Sequence, residues 1–237
     1  MPALLIANGR VIDPSHSLDM RADVLIADGL IRQVGPGLDR TGATMLDAQG
    51  CVVTPGLVDM HVHLRQPGGE EKETIATGTQ AAAAGGVTTV LAMPNTNPVV
   101  DNQAGVEFVL QTARSEALVN VQTCGAITKG QQGEELAEIG DLVAAGAAAI
   151  TDDGKPVMSA DMMRRALQYA GMFDIPVIAH EEDLTLAGGG AMNEGLTASL
   201  LGLPGMPGDA EAVMIARDCL LAQTTGTRLH IAHVSAR

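Results

Sequence analysis

The sequence predicts an α/β protein: a TIM-type (β/α)8 barrel, with six βα repeats in this chain, following a small N-terminal β-sandwich layer. Three observations carry this. The rhythm of apolar runs changes near Leu57 from closely spaced strands to strand-then-helix units. Six such units follow at roughly 30-residue spacing, which implies a parallel sheet with helical crossovers. Histidines and aspartates fall at the ends of several predicted strands, where a barrel places its chemistry. On rhythm alone an open doubly wound sheet fits equally well, and the placement of the polar residues favours the barrel.

The β layer, residues 1–54, reads as ALLIANG, ADVLIADGLIRQVG, TMLDAQG and CVVTPG, with Asp28-Gly29 as a two-residue hairpin signal. The barrel portion, residues 55–237, opens with LVDMHVHL and a helix in ETIATGTQAAAAGG, then VTTVLAM and a helix from Val106 to Ala117. VNVQTCGAI with a helix from Glu134 to Ala145 makes a third unit, and GAAAIT with MMRRALQYAG a fourth. The fifth runs from IPVIAH through a Gly-rich insertion, Leu184 to Asp209, into AEAVMIARDCLLAQTTG. RLHIAHV is the sixth strand.

Composition narrows the function classes. The 237 residues carry a formal charge of −14, a field that repels phosphate backbones and anionic membranes. Aromatic residues make up only 1%, so base-stacking platforms are nearly unavailable and the core rests on aliphatics and 12 Met. Cys51, Cys124 and Cys219 are widely spread with no CxxC, which fits a reduced, cytoplasmic setting. The N-terminus lacks a basic leader and no run of about 18 apolar residues follows, so neither export nor membrane insertion is expected. Gly85-Gly86 and Gly188-Gly189-Gly190 lack phosphate-loop context and read as a helix end and a flexible loop.

His61 and His63 are two apart, so on an extended strand both imidazoles share a face. With His180, His233 and the Asp152-Asp153 pair at other strand ends, four strands converge on metal-ligand chemistry. Asp153 is the better ligand candidate; Asp152 turns to the opposite side and equally fits a cap or turn before Gly154. A carboxylate there suits two Zn²⁺ ions about 3.5–4 Å apart. His230 falls on the other face from His233, against the helix layer, and His16 lies in a loop. Arg65, two residues beyond His63, offers a bidentate fork to a substrate carboxylate, or a surface salt bridge. Asn95, in MPNTNPVVD, donates to the same carboxylate or simply forms the turn.

The segments DMHVHLRQPGGEEKETIATGTQAAAAGGVTTVLAMPNTNPVVD, TDDGKPVMS, IAHEED, MNEG and GLPGMPGDAEAVMIARD leading to LHIAHVSA resemble the bacterial type I dihydroorotases of the amidohydrolase superfamily. The resemblance runs from the β layer to the last residue. It implies His61, His63, Asp153, His180 and His233 as ligands to two Zn²⁺ per site, with His63, Arg65 and Asn95 contacting substrate. Relatives acting on allantoin or dihydropyrimidines bridge their metals with a carboxylated Lys; here Asp153 stands at that position, and Lys155 is the nearby lysine. The implied reaction is hydrolysis of cyclic dihydroorotate to N-carbamoyl-L-aspartate and its reverse, in pyrimidine biosynthesis. The family's general acid/base Asp lies at the end of strand 8, so it is expected beyond Arg237, with strands 7 and 8. On this reading the chain holds no complete set of catalytic groups. Two other functions compete: a catalytically silent dihydroorotase-like subunit scaffolding aspartate transcarbamoylase, and an allantoinase or hydantoinase. Partners expected are a small-molecule substrate and a second copy or aspartate transcarbamoylase, with no nucleic acid and no membrane.

Overall fold

The computed structural model describes residues 3–236, which divide after Leu57 into two compact units. The first is a sheet of β1 (Ala3–Asp13), β2 (Leu18–Ala27), β3 (Leu30–Gly35), β4 (Ala43–Asp47) and β5 (Val52–Val53). Its order is β3-β2-β1-β4, with β5 pairing further along β1. The β2–β3 hairpin turns at Asp28 (φ 53°) and Gly29 (φ 74°), the doubly left-handed backbone that an Asp-Gly pair accepts. Val11, Ala22 and Val24 form the small core of this unit, packed with Ile6, Ile26 and Val53.

The second unit follows the predicted rhythm. Its sheet strands are β6 (Leu57–Val62), β7 (Val87–Ala92), β8 (Asn120–Gly125), β9 (Ala149–Thr151) and β10 (Val177–Ala179). The helices between them are α1 (Ile75–Ala84), α2 (Gln103–Glu116), α3 (Ile139–Ala145) and α4 (Ala160–Gly171). The Gly-rich insertion is structured: α5 (Leu184–Ala187), α6 (Leu196–Leu201) and a two-stranded ribbon of β11 (Met192–Asn193) and β12 (Gly205–Met206). Then come α7 (Asp209–Thr225) and β13 (Leu229–Ile231).

The six-stranded sheet runs β13-β10-β9-β8-β7-β6, in chain order with no reversal. A doubly wound sheet has a switch point where strand order reverses. None occurs along this path, so the sheet is a half-barrel, and its pairs from β7 through β13 are parallel. Alternate residues separate two layers. Val90, Ala92, Val121, Ile150 and Val177 pack against Val106, Leu142, Met163 and Leu167 of the helices, while Leu91, Met93, Cys124, Ala149, Ile178 and Ala232 cluster on the other face.

Two expectations fail for local reasons. The helix expected from Glu134 starts only at Ile139, because residues before it pair backward instead: Leu136 bridges Thr128, Lys129 N donates to Glu135 O, and Ala137 N donates to Ile127 O. His230 does not face the helix layer. The register sets it beside Ile178 of the inner cluster, whereas Leu229 and Ile231 pack with Leu221 and Ala222 of α7.

Candidate metal centre

The ends of β6, β9, β10 and β13 each deliver one or two polar side chains to a single point. His61 lies within β6, and His63 just past its end. Asp153 follows β9, His180 follows β10 and His233 follows β13. The carboxylate of Asp153, only 5% exposed, sits at the centre. Its Oδ1 lies 3.2 Å from His61 Nε2, 3.3 Å from His233 Nε2 and 3.9 Å from His180 Nδ1; its Oδ2 lies 3.5 Å from His63 Nε2. The rings meet edge to face, with centroids 5.3 Å apart for His61 and His63, 5.1 Å for His61 and His233, and 4.8 Å for His180 and His233.

Asn95 links two members of this group. Its Nδ2 donates to Asp153 Oδ2 at 3.3 Å, so its Oδ1 is left to accept from His63 Nδ1 at 2.9 Å. That fixes the His63 tautomer and leaves the Nε2 lone pair directed at the cluster. On the far side of His180, Nε2 lies 3.3 Å from Glu182. Burial, opposed by Asp153, pushes His61 below the ordinary histidine range, which favours the neutral, metal-ligating form.

The donor set suits a divalent metal. His61, Asp153 and His233 present ligand atoms all within 4.8 Å of one another. Among the described residues no lysine or arginine pairs with the buried Asp153, and a metal ion held there would supply a positive charge. Nitrogen and carboxylate donors together are those of zinc-type sites.

Three acids near this group are buried: Asp152, Glu181 and Asp218. Asp152 turns away, as its parity requires, and accepts from Ile127 N at 2.8 Å, Thr128 N at 3.1 Å and the Thr128 hydroxyl. It is a latch between the ends of β8 and β9, and burial pushes its carboxyl up to about 6 against those hydrogen bonds. Glu181 is buried with neither carboxylate oxygen bonded; burial and then Asp218 push it up to about 8, so it holds a proton near neutrality. Asp218 is fully buried and paired with Arg217, which also donates to Val157 O and Met158 O, both at 2.9 Å. Lys155 is exposed and opens on a separate cleft with Gln131, Asp152 and Ser159.

Arg65 does not follow the strand parity. The strand ends at Val62 and Arg65 has φ 59°, a left-handed backbone. Its guanidinium has no carboxylate partner among the described residues. The loop that carries it is pinned to the Asn95 loop, since Asn97 N donates to Pro67 O at 3.0 Å and a Cβ on Gly68 would meet Asn97 O at 1.9 Å. Sequence reasoning missed the packing contacts of Arg217, Asp218 and Glu211, because nothing in helical spacing marks an acid or arginine as reaching out of its helix. A cleft of about 380 Å³ opens beside His180 and His233, lined by Glu181, Glu182, Asn193, Glu194 and Glu211. No helix among the described residues is long and apolar enough to cross a membrane.

Comparison with known proteins places the chain in a family. The chain is 54% identical to the dihydroorotase of Syntrophotalea carbinolica over 234 residues, covering 99% of this chain and 55% of that protein. It is 56% identical to that of Pelotomaculum thermopropionicum over 232 residues, covering 98% and 54%. The chain thus spans about half the length of the curated relatives it matches. Among solved structures, the L-hydantoinase (dihydropyrimidinase) of Arthrobacter aurescens superposes with a TM-score of 0.81 at 22% identity, over 99% of this chain and 53% of that one, a likeness of fold. The D-hydantoinase of Thermus sp. does so at 0.66 with 26% identity, over 99% and 53%. A family model described as dihydro-orotase-like matches residues 50–237, and the chain belongs to that family.

Proposed function

We propose that this chain carries the metal-binding and substrate-carboxylate-binding part of a dihydroorotase, a zinc-dependent cyclic amidohydrolase that interconverts dihydroorotate and N-carbamoyl-L-aspartate. The observation that carries the reading is the buried Asp153 carboxylate ringed by four imidazoles from three further strand ends. On this reading residues 1–54 are a small β domain, residues 55–237 belong to a (β/α)8 barrel, and His61, His63, Asp153, His180 and His233 hold two zinc ions.

When bound, the metal supplies Lewis acidity for a ring carbonyl and lowers the pKa of water toward neutrality. The protein's own residues do the rest. The Asp153 carboxylate, at the centre of the four imidazoles, would offset the charge of a bound metal. Asn95 holds His63 in the tautomer that leaves Nε2 free. Arg65 has no carboxylate partner among the described residues, and on this reading its guanidinium takes the carboxylate of an anionic substrate bidentately. With a net charge of −14, the protein depends on such a placed cation to attract that substrate.

A carboxylate distinguishes dihydroorotate and N-carbamoyl-aspartate from hydantoin, which has none. Zinc content and calorimetric binding of N-carbamoyl-aspartate to the zinc-loaded chain test both halves of the reading. Zinc is expected in the parent and absent from a His61→Ala/His63→Ala variant. Arg65→Met should weaken N-carbamoyl-aspartate binding by about 10- to 100-fold, on the scale of 1.5–3 kcal/mol for hydrogen bonds to charged groups, and leave hydantoin binding unchanged. Zinc retained by the double variant, or ligand affinity indifferent to Arg65, overturns the assignment.

A further inference from the structure

Glu211 stands in the first turn of α7, and its carboxylate reaches out of the helix. Ser235 N donates to its Oε1 at 2.9 Å and to its Oε2 at 3.0 Å, and Ala236 N donates to Oε2. An acid in a first helical turn is favoured by the helix dipole whatever it touches, but that effect requires no partner outside the helix. The contact across to Ser235 needs another reason.

That reason lies two residues earlier. His233 has φ 32°, a sparsely populated backbone for any residue with a Cβ, and such conformations persist only where the surroundings hold them. On its N-terminal side the chain is fixed by Ala232 N donating to Ala179 O at 3.1 Å. On its C-terminal side the hold is Glu211. The helix bearing Glu211 is itself tied to the other ligand-bearing loops. Arg217 donates to Val157 O and Met158 O beyond Asp153, and Asp183 N, beyond His180, donates to Ala210 O at 2.8 Å. One helix thus provides a common frame for the ends of β9, β10 and β13.

We propose that Glu211 is a positioning residue for the imidazole cluster: by accepting the N–H groups of Ser235 and Ala236 it holds the turn after β13, so that His233 Nε2 stays on Asp153. The consequence for metal affinity rests on the metal-site reading above; the hold on the turn does not. Its charge is spent on two amides inside a cleft that otherwise gathers carboxylates, which also keeps that charge from being presented bare to an anionic ligand.

The experiment uses this chain and its Glu211→Ala and Glu211→Gln variants. Amide hydrogen exchange on the metal-free protein should show Ser235 and Ala236 exchanging at least about tenfold faster in Glu211→Ala, with α4 and β9 unchanged. Zinc affinity by chelator competition should fall by about 10- to 100-fold, the range for residues that orient metal ligands. The visible spectrum of the cobalt-substituted variant should differ from that of the parent, which a purely stabilising contact would not alter. Glu211→Gln keeps volume and one acceptor oxygen, so it should move each readout in the same direction and less far; it carries the test if the alanine variant does not fold. Exchange and metal affinity both unchanged in a folded variant overturn the proposal. A parent chain that binds no zinc refutes the metal reading alone, and Glu211 then stands or falls on the exchange result.

Discussion

Carboxylates in the N-terminal sheet and at the strand ends of the half-barrel live in opposite environments. In the sheet, Asp13, Asp19, Asp39 and Asp47 lie at the surface, and hydrogen bonds, or Arg10 in the case of Asp19, hold their carboxyls below the ordinary range. Behind the strand ends, Asp152, Glu181 and, on α7, Asp218 are buried, and burial pushes all three up. Surface acids of the second unit, Glu70 and Asp183, follow the first pattern, so the division reflects position rather than domain. An acid at a turn fixes backbone cheaply. An acid buried behind the imidazole cluster costs desolvation free energy, and what it gives in return is geometry: Asp152 ties β8 to β9, and Asp218 pins the arginine that ties α7 to the loop after β9.

The largest test of that contrast is to remove one acid of each kind. Asp218→Ala leaves Arg217, whose side chain is 19% exposed, without its counter-charge, and breaking a buried pair in this way costs about 3–5 kcal/mol. Asp19→Ala breaks the Arg10 pair, in which both side chains are more than half exposed, and should leave stability unchanged within error. Urea unfolding of the two variants measures both. If Asp218→Ala loses less than about 1 kcal/mol, its pair is not held dry and the contrast fails.

A second contrast lies in two glycines with similar backbones. Gly29 (φ +74°) turns the hairpin with nothing within 4 Å of an added Cβ, so Gly29→Ala should cost only the left-handed penalty, about 1–2 kcal/mol. Gly68 (φ +83°) has the Asn97 carbonyl in that space, so Gly68→Ala should cost clearly more and shift the loops that carry Arg65 and Asn95. The discriminating measurement is ligand binding as well as stability: Gly68→Ala should weaken N-carbamoyl-aspartate binding, and Gly29→Ala should not. Equal losses of stability with no change in binding would show that the Arg65 loop is not set by this packing.

How much of this was legible in the sequence follows the same line. The hairpin at Asp28-Gly29 and the alternation of buried residues along β7 to β10 depend on local chemistry and period, and both are readable. So is the convergence of His61, His63, Asp153, His180 and His233, because each lies at or just past a strand end, where the fold class alone directs it. Parity gave the right side for Asp152 but not for His230, and it does not extend to Arg65. Counting by twos assumes extended backbone, and the chain leaves it at Arg65 and at His233, where φ is positive. Glu134 to Glu138 read as helix because their composition allows it, yet pairing with residues 127–129 takes their backbone groups. Asn95 presented two readings, and the structure adds a third contact, the bridge between His63 and Asp153, which needs two loops from different strands to be seen together.

The smallest effect concerns the one acid of the N-terminal sheet that is both buried and held down. Asp23 is 4% exposed, and its carboxylate accepts from Asn8 N at 2.9 Å and Leu38 N at 3.1 Å. These bonds outweigh burial and hold its carboxyl below the ordinary 3.8. A depressed folded-state pKa means that the unfolded chain binds the proton more readily, so Asp23 contributes stability above about pH 4 and loses it as pH falls through the folded value. Asp23→Asn keeps one acceptor oxygen and no charge; it should cost about 1 kcal/mol at pH 7 and make the acid limb of unfolding of the sheet shallower. The raised groups have the opposite sign: Asp152, with a folded value of about 6, loses stabilising protonation as pH rises from about 4 to 6. Unfolding followed by hydrogen exchange at β1 and β2, against β9 and β10, between pH 3 and 7 separates the two. Parallel pH dependence in both regions of the parent, or an acid limb at β1 and β2 unaffected by Asp23→Asn, would mean that the opposite shifts of these carboxyls do not govern the stability of the strands beside them.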